Sequence, residues 1–370
     1  MKSLSGIIRV SAFVLMVGLM VTVCGGCSAQ QNLIIPDPAV PAGSILAALP
    51  APVLGLPSVP KLHPIRAPHP KANRTGFLGQ DLKSLKDSNG KIVSLVRLEF
   101  HPDFLLREKV EVYRMRYMSD GLEVVGFIVM PENLRSKYPV IIYNRGGNRE
   151  FGKIGFPRLR YLSTFAAEGY VVVASQYRGN DGGEGKEEFG GSDVNDVLNL
   201  IPLVESLPFV FRNKILMLGS SRGGMMTYIA ISRTDRIKAA AVVGGISDLF
   251  QTYSERPDMR LTLEELIGGT PEEKMEEYIK RSAYFWPEKI NIPVLILHGK
   301  ADDRVNVTQA EKLAAKLTEL GKPHELVVYP GGDHGLFTHS SDRDNRILSW
   351  FAEHRQWKPW PFPAARLRQQ

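Results

Sequence analysis

Cysteine is nearly absent: the 370 residues contain only Cys24 and Cys27, both within the first 27 positions. A chain trimmed in that segment keeps at most one cysteine, which excludes an internal disulfide, a thiol nucleophile and a thiolate metal site. Dense runs of Lys and Arg are also missing. The formal net charge is +7, yet the basic residues are scattered and no stripe of interleaved aromatics accompanies them. Nucleic-acid binding is therefore not expected, and the charge reads as a mild surface bias. The apolar stretch at 12–23 is too short, and too soon followed by small and polar residues, to serve as a membrane span. There is no internal repeat. With 44% hydrophobic and 23% charged residues the chain suits one large α/β domain with extensions.

At the N-terminus an export layout is present. Lys2 and Arg9 lead into the apolar stretch, and small residues close it at Cys24-Gly25-Gly26-Cys27-Ser28-Ala29. The run resembles a bacterial lipoprotein signal, in which small residues precede a cysteine that is lipidated and becomes the new N-terminus, here Cys27. Cys24 stands where such signals usually carry leucine, and plain cleavage after Ala29 is the rival reading. The resemblance implies export to the cell envelope, lipid-anchored through Cys27 or periplasmic, with secretion as the alternative. Residues 28–90, with prolines scattered from Pro36 to Pro70, are expected to form a tether, and 357–370 a proline-rich tail. The folded domain is expected over 91–356.

Within it, 110–118 and 122–130 read as two strands joined at Ser119-Asp120-Gly121, a hairpin with an Asp-Gly turn. Short apolar strands at 139–143 and 170–174 flank a helix near 158–168, which argues a parallel crossover. The alternation continues with a helix at 194–207, strands at 214–218, 239–243 and 293–297, a helix at 308–320, a strand at 325–329 and a helix at 343–353. An open, mostly parallel, doubly wound α/β sheet with helices on both faces follows. Between residues 245 and 292 the alternation is lost. There 247–291 is expected as a small helical cap, an ordinary surface excursion being the alternative.

The chemistry gathers at three loops. The apolar run 214–218 leads into Gly219-Ser220-Ser221-Arg222-Gly223-Gly224, and a helical stretch leads out. In a Gly-x-Ser-x-Gly turn the glycines permit a sharp bend and leave the serine standing clear, while the amide after it points toward the oxygen of an attacked acyl group. The strand at 293–297 ends in His298-Gly299-Lys300-Ala301-Asp302-Asp303-Arg304-Val305, and the last strand in Pro330-Gly331-Gly332-Asp333-His334-Gly335. Singly, Ser221 reads equally as a nucleophile or as a helix cap, either aspartate as a helix cap, and His334 as a surface histidine. Together, serine, acid and base follow one another along the chain at one sheet edge, the order of an α/β-hydrolase.

These blocks resemble the catalytic domain of the prolyl oligopeptidase family. The resemblance covers about 110–353 and includes Tyr177-Arg178-Gly179, Gly182-Gly183-Glu184-Gly185, Phe189-Gly190-Gly191, Asp196, the His298, Gly299, Asp302, Val305 block and Asp333-His334-Gly335. It implies an α/β-hydrolase fold, here without the β-propeller of larger members. It also implies Ser221 as nucleophile, His334 as base and Asp302 as its orienting acid, with Asp303 the fallback, and neither metal nor organic cofactor. The oxyanion donors it implies are the amide of Arg222 and the block Arg145, Gly146, Gly147, with the Tyr143 hydroxyl as an alternative source. Relatives usually carry an uncharged residue where this chain has Arg222; its guanidinium is expected to pair with an acid such as Asp196 or Glu184, or else to bind a substrate carboxylate. The expected activity is hydrolysis of small peptides or aminoacyl amides. A carboxylesterase is the alternative on the same fold, and a non-catalytic envelope-anchored binding protein the alternative of another class. Oligomeric state is not legible.

Overall fold

The computed structural model describes residues 88–355 except Arg135. The expected signal, Cys27, the tail and nearly all of the tether lie outside the described residues.

The domain opens with antiparallel strands. Between β1 (Ile92–Leu98) and β2 (Val110–Ser119), and between β2 and β3 (Leu122–Pro131), the ladders run continuously apart from one irregularity in β1. The turn joining β2 to β3 has Asp120 at φ 52° and Gly121 at φ 79°. Both are left-handed, as a type I′ turn requires, so the Asp-Gly pair sets the hairpin register. β1 was not legible as a strand because it lies at the sheet edge, and its residues are half-buried or exposed with no clean alternation.

From β4 (Tyr138–Asn144) onward the chain alternates. In order come α1 (Phe156–Ala167), β5 (Val171–Ser175), α2 (Val194–Leu198), α3 (Leu200–Ser206), β6 (Val210–Ser220), α4 (Arg222–Ile231) and β7 (Ile237–Val243). Three short helices follow, α5 (Leu249–Glu255), α6 (Arg260–Ile267) and α7 (Met275–Lys280), where the sequence pattern had lost its alternation. Then come β8 (Val294–Gly299), α8 (Thr308–Glu319), β9 (His324–Tyr329) and α9 (Ser340–His354). The single helix expected at 194–207 is two, because the ring of Pro202 clashes with the carbonyl four residues back and breaks the helix at Asn199.

The nine strands form one sheet in the order β1-β2-β3-β5-β4-β6-β7-β8-β9. Pairing is antiparallel as far as β3 with β5, and parallel from there on. Both faces of the parallel part are covered, which is why its strands are continuous apolar runs. Ile215 and Met217 of β6 point into a core shared with α2, α3, α4 and α8, while Leu216 and Leu218 point into one shared with α1 and α9. This is the α/β-hydrolase fold. From β4 the chain passes first to β5 on one side and then to β6 on the other. The ends of β4 and β6 therefore flank a topological switch point, where open α/β sheets hold their ligands.

Candidate active site

β6 runs into α4 through one residue, Ser221, at φ 58° and ψ −126°. That conformation is costly for a residue with a side chain, by about 1–3 kcal/mol, and it persists only where the surroundings enforce it. Here they do. A Cβ on Gly219 would lie 2.2 Å from the Gly223 carbonyl oxygen, and one on Gly223 would lie 1.9 Å from that of Asn144. Only glycine allows strand, helix and the end of β4 to meet so closely. The Ser221 amide donates to the Val243 carbonyl at 2.9 Å, and the Arg222 amide opens the first turn of α4, where backbone donors have no partner within the helix.

The loop after β8 curls around the Asp302 carboxylate. Asp302 Oδ1 accepts from the amides of Arg304 and Val305, each at 2.9 Å, and the side chain is fully buried. His334 Nδ1 lies 2.8 Å from Asp302 Oδ2 and 2.9 Å from Oδ1. The loops that carry them are fastened back to back, with Lys300 donating to Tyr329 and Ala301 to Gly332, each at 2.9 Å. A second histidine, His298, is buried; its Nε2 lies 2.8 Å from the Val305 carbonyl oxygen and 3.2 Å from Asp302 Oδ2. These contacts assign the Nε2–H tautomer to His298. Burial opposes the Asp302 charge, but hydrogen bonds from His298 and His334 outweigh it and hold the carboxyl well below the usual carboxylate range. Asp303 is exposed and takes no part.

Gly244, at the end of β7, joins the two halves. A Cβ there would lie 3.2 Å from both His334 Nδ1 and Asp302 Oδ2, while the preceding carbonyl, that of Val243, holds the Ser221 amide. His334 makes its two hydrogen bonds through Nδ1, and among the described residues none joins its other nitrogen to Ser221 Oγ. Such contacts are often formed only in the substrate complex.

Gly146 sits against the serine: a Cβ on it would lie 3.0 Å from Ser221 Cβ and 3.6 Å from Ser221 Oγ. Gly147, at φ 70°, lets the loop fold back until a Cβ would meet the Phe151 carbonyl oxygen at 2.2 Å. Arg145 is buried, and its guanidinium is turned inward. It donates to the carbonyls of Gln176, Gly146, Arg149 and Phe151 and lies over the Tyr177 ring. Its side chain thus braces the loop, and what the loop turns toward Ser221 is backbone. The Tyr143 hydroxyl is buried, with its ring in the core shared with α1 and α9.

Arg222 is likewise buried, but its partners differ from the expected ones. Its guanidinium pairs with Glu187 and, at 2.6 Å, with Asp193, donates to the Gly147 carbonyl at 3.0 Å, and lies between the Tyr177 and Phe189 rings. Asp196 is held instead by Arg178 at 2.8 Å and by Ser119, and Glu184 accepts from the Glu123 amide. Glu187 also accepts from the Arg149 amide at 2.8 Å and from Asn180 at 3.0 Å. Arg222 and Glu187 together tie the serine elbow to the loop after β4. Leaving such a pair half-unmade in the interior typically costs about 3–5 kcal/mol. Arg222→Met should therefore lower the urea-unfolding free energy by about that amount, and Lys, which cannot span both acids, should recover only part of it.

Among the described residues no group of His, Cys, Asp and Glu is disposed to hold a metal ion, and no helix is long and apolar enough to cross a membrane. The model of the prolyl oligopeptidase family matches residues 158–357, more than half of the chain. The chain belongs to the prolyl oligopeptidase family. It is a serine-type peptidase. This family member is 37% identical over 249 residues to the uncharacterized peptidase YtmA of Bacillus subtilis, covering 67% of its own length and 95% of that protein. With dipeptidyl-peptidase 5 of Porphyromonas gingivalis it shares 27% identity over 229 residues, 58% of its own length and 33% of the relative's. Among solved structures, an acylaminoacyl peptidase of Pyrococcus horikoshii superposes with a TM-score of 0.61 at 26% identity, covering 70% of this chain and 45% of that one. The family member thus spans almost all of YtmA but less than half of the other two.

Proposed function

We propose that this peptidase hydrolyses peptide or aminoacyl amide bonds through an acyl-enzyme on Ser221. The observation that carries the reading is the buried Asp302 carboxylate on His334 Nδ1, in a loop pair joined through Gly244 to the strained serine elbow. Ser221 Oγ attacks the carbonyl carbon as His334 takes its proton; the carbonyl electron pair moves onto oxygen, where the Arg222 amide and the backbone at Gly146 and Gly147 face it. Asp302 holds the imidazole tautomer and balances the charge it gains. Collapse breaks the C–N bond, the amine leaves with the proton from His334, and water repeats the sequence to free the acid. Each oxyanion donor is worth about 3 kcal/mol in such sites. The Pyrococcus horikoshii protein is named an acylaminoacyl peptidase and the Porphyromonas gingivalis relative a dipeptidyl-peptidase, which supports a small peptide or aminoacyl substrate for this chain.

The decisive assay compares a matched amide and ester sharing one acyl group. Cleavage of the amide supports the proposal; cleavage of the ester alone favours the carboxylesterase reading and directs attention to the loop at 145–147.

The proposed setting is the cell envelope. Residues 1–27 would direct export, lipid on Cys27 would anchor the chain, 28–90 would space the domain from the membrane, and 247–291 would cap the site. Cys27→Ala should then move the protein from the membrane fraction to the soluble one; an unchanged distribution refutes the anchor.

A further inference from the structure

Beside the histidine loop, on the face of the sheet covered by α1 and α9, lies a cavity of about 30 Å³. Ser220, Val243 and Gly335 are among its walls. These residues adjoin the catalytic groups: Ser220 precedes Ser221, the Val243 carbonyl accepts from the Ser221 amide, and Gly335 follows His334. Opposite them the lining is cationic and aromatic, with Arg158 from α1, Arg343 from α9, and the tyrosines Tyr143 and Tyr161. No acidic residue lines the cavity.

Donors outnumber acceptors there. The Tyr143 hydroxyl is buried and has no hydrogen-bond partner, a state that typically costs about 1–3 kcal/mol. Arg158 does not satisfy it. Its guanidinium lies over the Tyr143 and Tyr161 rings, 5.5 and 5.4 Å from their centres, and makes no hydrogen bond or ion pair among the described residues. Arg343 pairs with Asp344 at 2.8 Å, an acid that also accepts from the Tyr161 hydroxyl, and donates to the Gly335 carbonyl at 2.6 Å. The charge of Arg158 is left unbalanced. It sits in the first turn of α1, which holds no acid, so it adds to the positive end of that helix.

A ligand that answers a hydroxyl and two guanidiniums must accept hydrogen bonds and carry negative charge. Size narrows the choice. One water needs about 10–15 Å³ of such space, so the cavity suits a single ion near the size of water and is too small for a phosphate or an amino-acid side chain.

We infer that the cavity between Tyr143, Arg158 and Arg343 is a halide site, filled by chloride, that steadies the backbone of the histidine loop. The link runs through Arg343, whose guanidinium holds the Gly335 carbonyl next to His334. An anion beside that guanidinium fixes its position and so the loop's. The halide touches no reacting atom in this scheme, and its binding does not depend on the reaction that Ser221 performs.

The test compares melting midpoints of the purified protein in sodium gluconate, chloride, bromide and phosphate at one ionic strength. Chloride at ten times its dissociation constant should raise the midpoint by about 3–5 °C over gluconate. Bromide should do the same, and phosphate should match gluconate. In Arg158→Gln the halide shift should vanish. Tyr143→Phe should melt at or above the wild type in gluconate, where the lost hydroxyl had no partner, and should bind chloride about tenfold more weakly, the scale of one hydrogen bond to a charge. Amide exchange across residues 331–339 should slow in chloride in the wild type and not in Arg158→Gln. A wild-type midpoint equal in gluconate and chloride, as when water alone fills the cavity, overturns the site. So does a chloride shift kept in full by Arg158→Gln, or a phosphate shift as large as that of chloride. Should Arg158→Gln fail to fold, Tyr143→Phe decides: chloride affinity unchanged in that variant overturns the site as well.

Discussion

Ser221→Ala should lower kcat for a peptide amide by about a millionfold, the scale on which a serine nucleophile and its base act as one unit. What remains is the hydrolysis that oxyanion stabilisation and binding can support without covalent chemistry, still faster than in water. The fold should survive. Ser221 holds a positive-φ conformation that any L residue pays for, and alanine fits wherever serine does, so the melting midpoint should move little. Steady-state kinetics on the purified domain, with the variant free of wild-type carry-over, give the comparison. Loss of less than a hundredfold would mean that another group performs the attack.

Asp302→Asn should cost about ten-thousandfold in kcat at neutral pH. The amide that replaces the carboxylate presents an N–H to one side and no charge to stabilise an imidazolium, so His334 is left in the wrong tautomer for taking a proton from Ser221. Stability carries an independent signature. The folded protein holds the Asp302 carboxyl well below its usual range, whereas in the unfolded chain it titrates near about 3.9. Its ionised form therefore favours the native state fully above about pH 5, and that contribution drains away as the pH falls through 4 toward the folded value. Urea unfolding of wild type and Asp302→Asn should show a stability gap at pH 7 that narrows by pH 3. A gap independent of pH would mean that the carboxylate is not held ionised by His298 and His334.

Much of this was written locally. Asp120-Gly121 announced its hairpin because left-handed turns admit few residues, and Gly219 and Gly223 announced the elbow because no side chain fits between β4, β6 and α4. The resemblance picked Asp302 over Asp303 through the His298, Gly299, Asp302, Val305 block, and of the two it is the Asp302 side chain that is buried. Contacts between distant segments were harder to read. Arg222 finds Glu187 and Asp193 rather than Asp196 or Glu184, and nothing in residues 184–196 marks which acid turns inward until Arg178 has claimed Asp196. His298 stood in plain view beside Gly299, but its hold on Asp302 depends on a loop that closes on itself. The gathering of Arg158 and Arg343 about one cavity depends on two distant helices packing on the same face of the sheet, which no window of sequence contains. The break at Asn199 was within reach, since Pro202 cannot occupy a helix interior.

The most direct measurement is covalent. The purified domain is treated with a peptidyl fluorophosphonate, which mimics the acyl group and is not turned over, and the adduct is mapped by mass spectrometry of proteolytic fragments. One adduct, on Ser221, formed at a rate that collapses in His334→Ala, is the result expected. An adduct on another residue, or none while amide hydrolysis continues undiminished, would contradict the acyl-enzyme at Ser221.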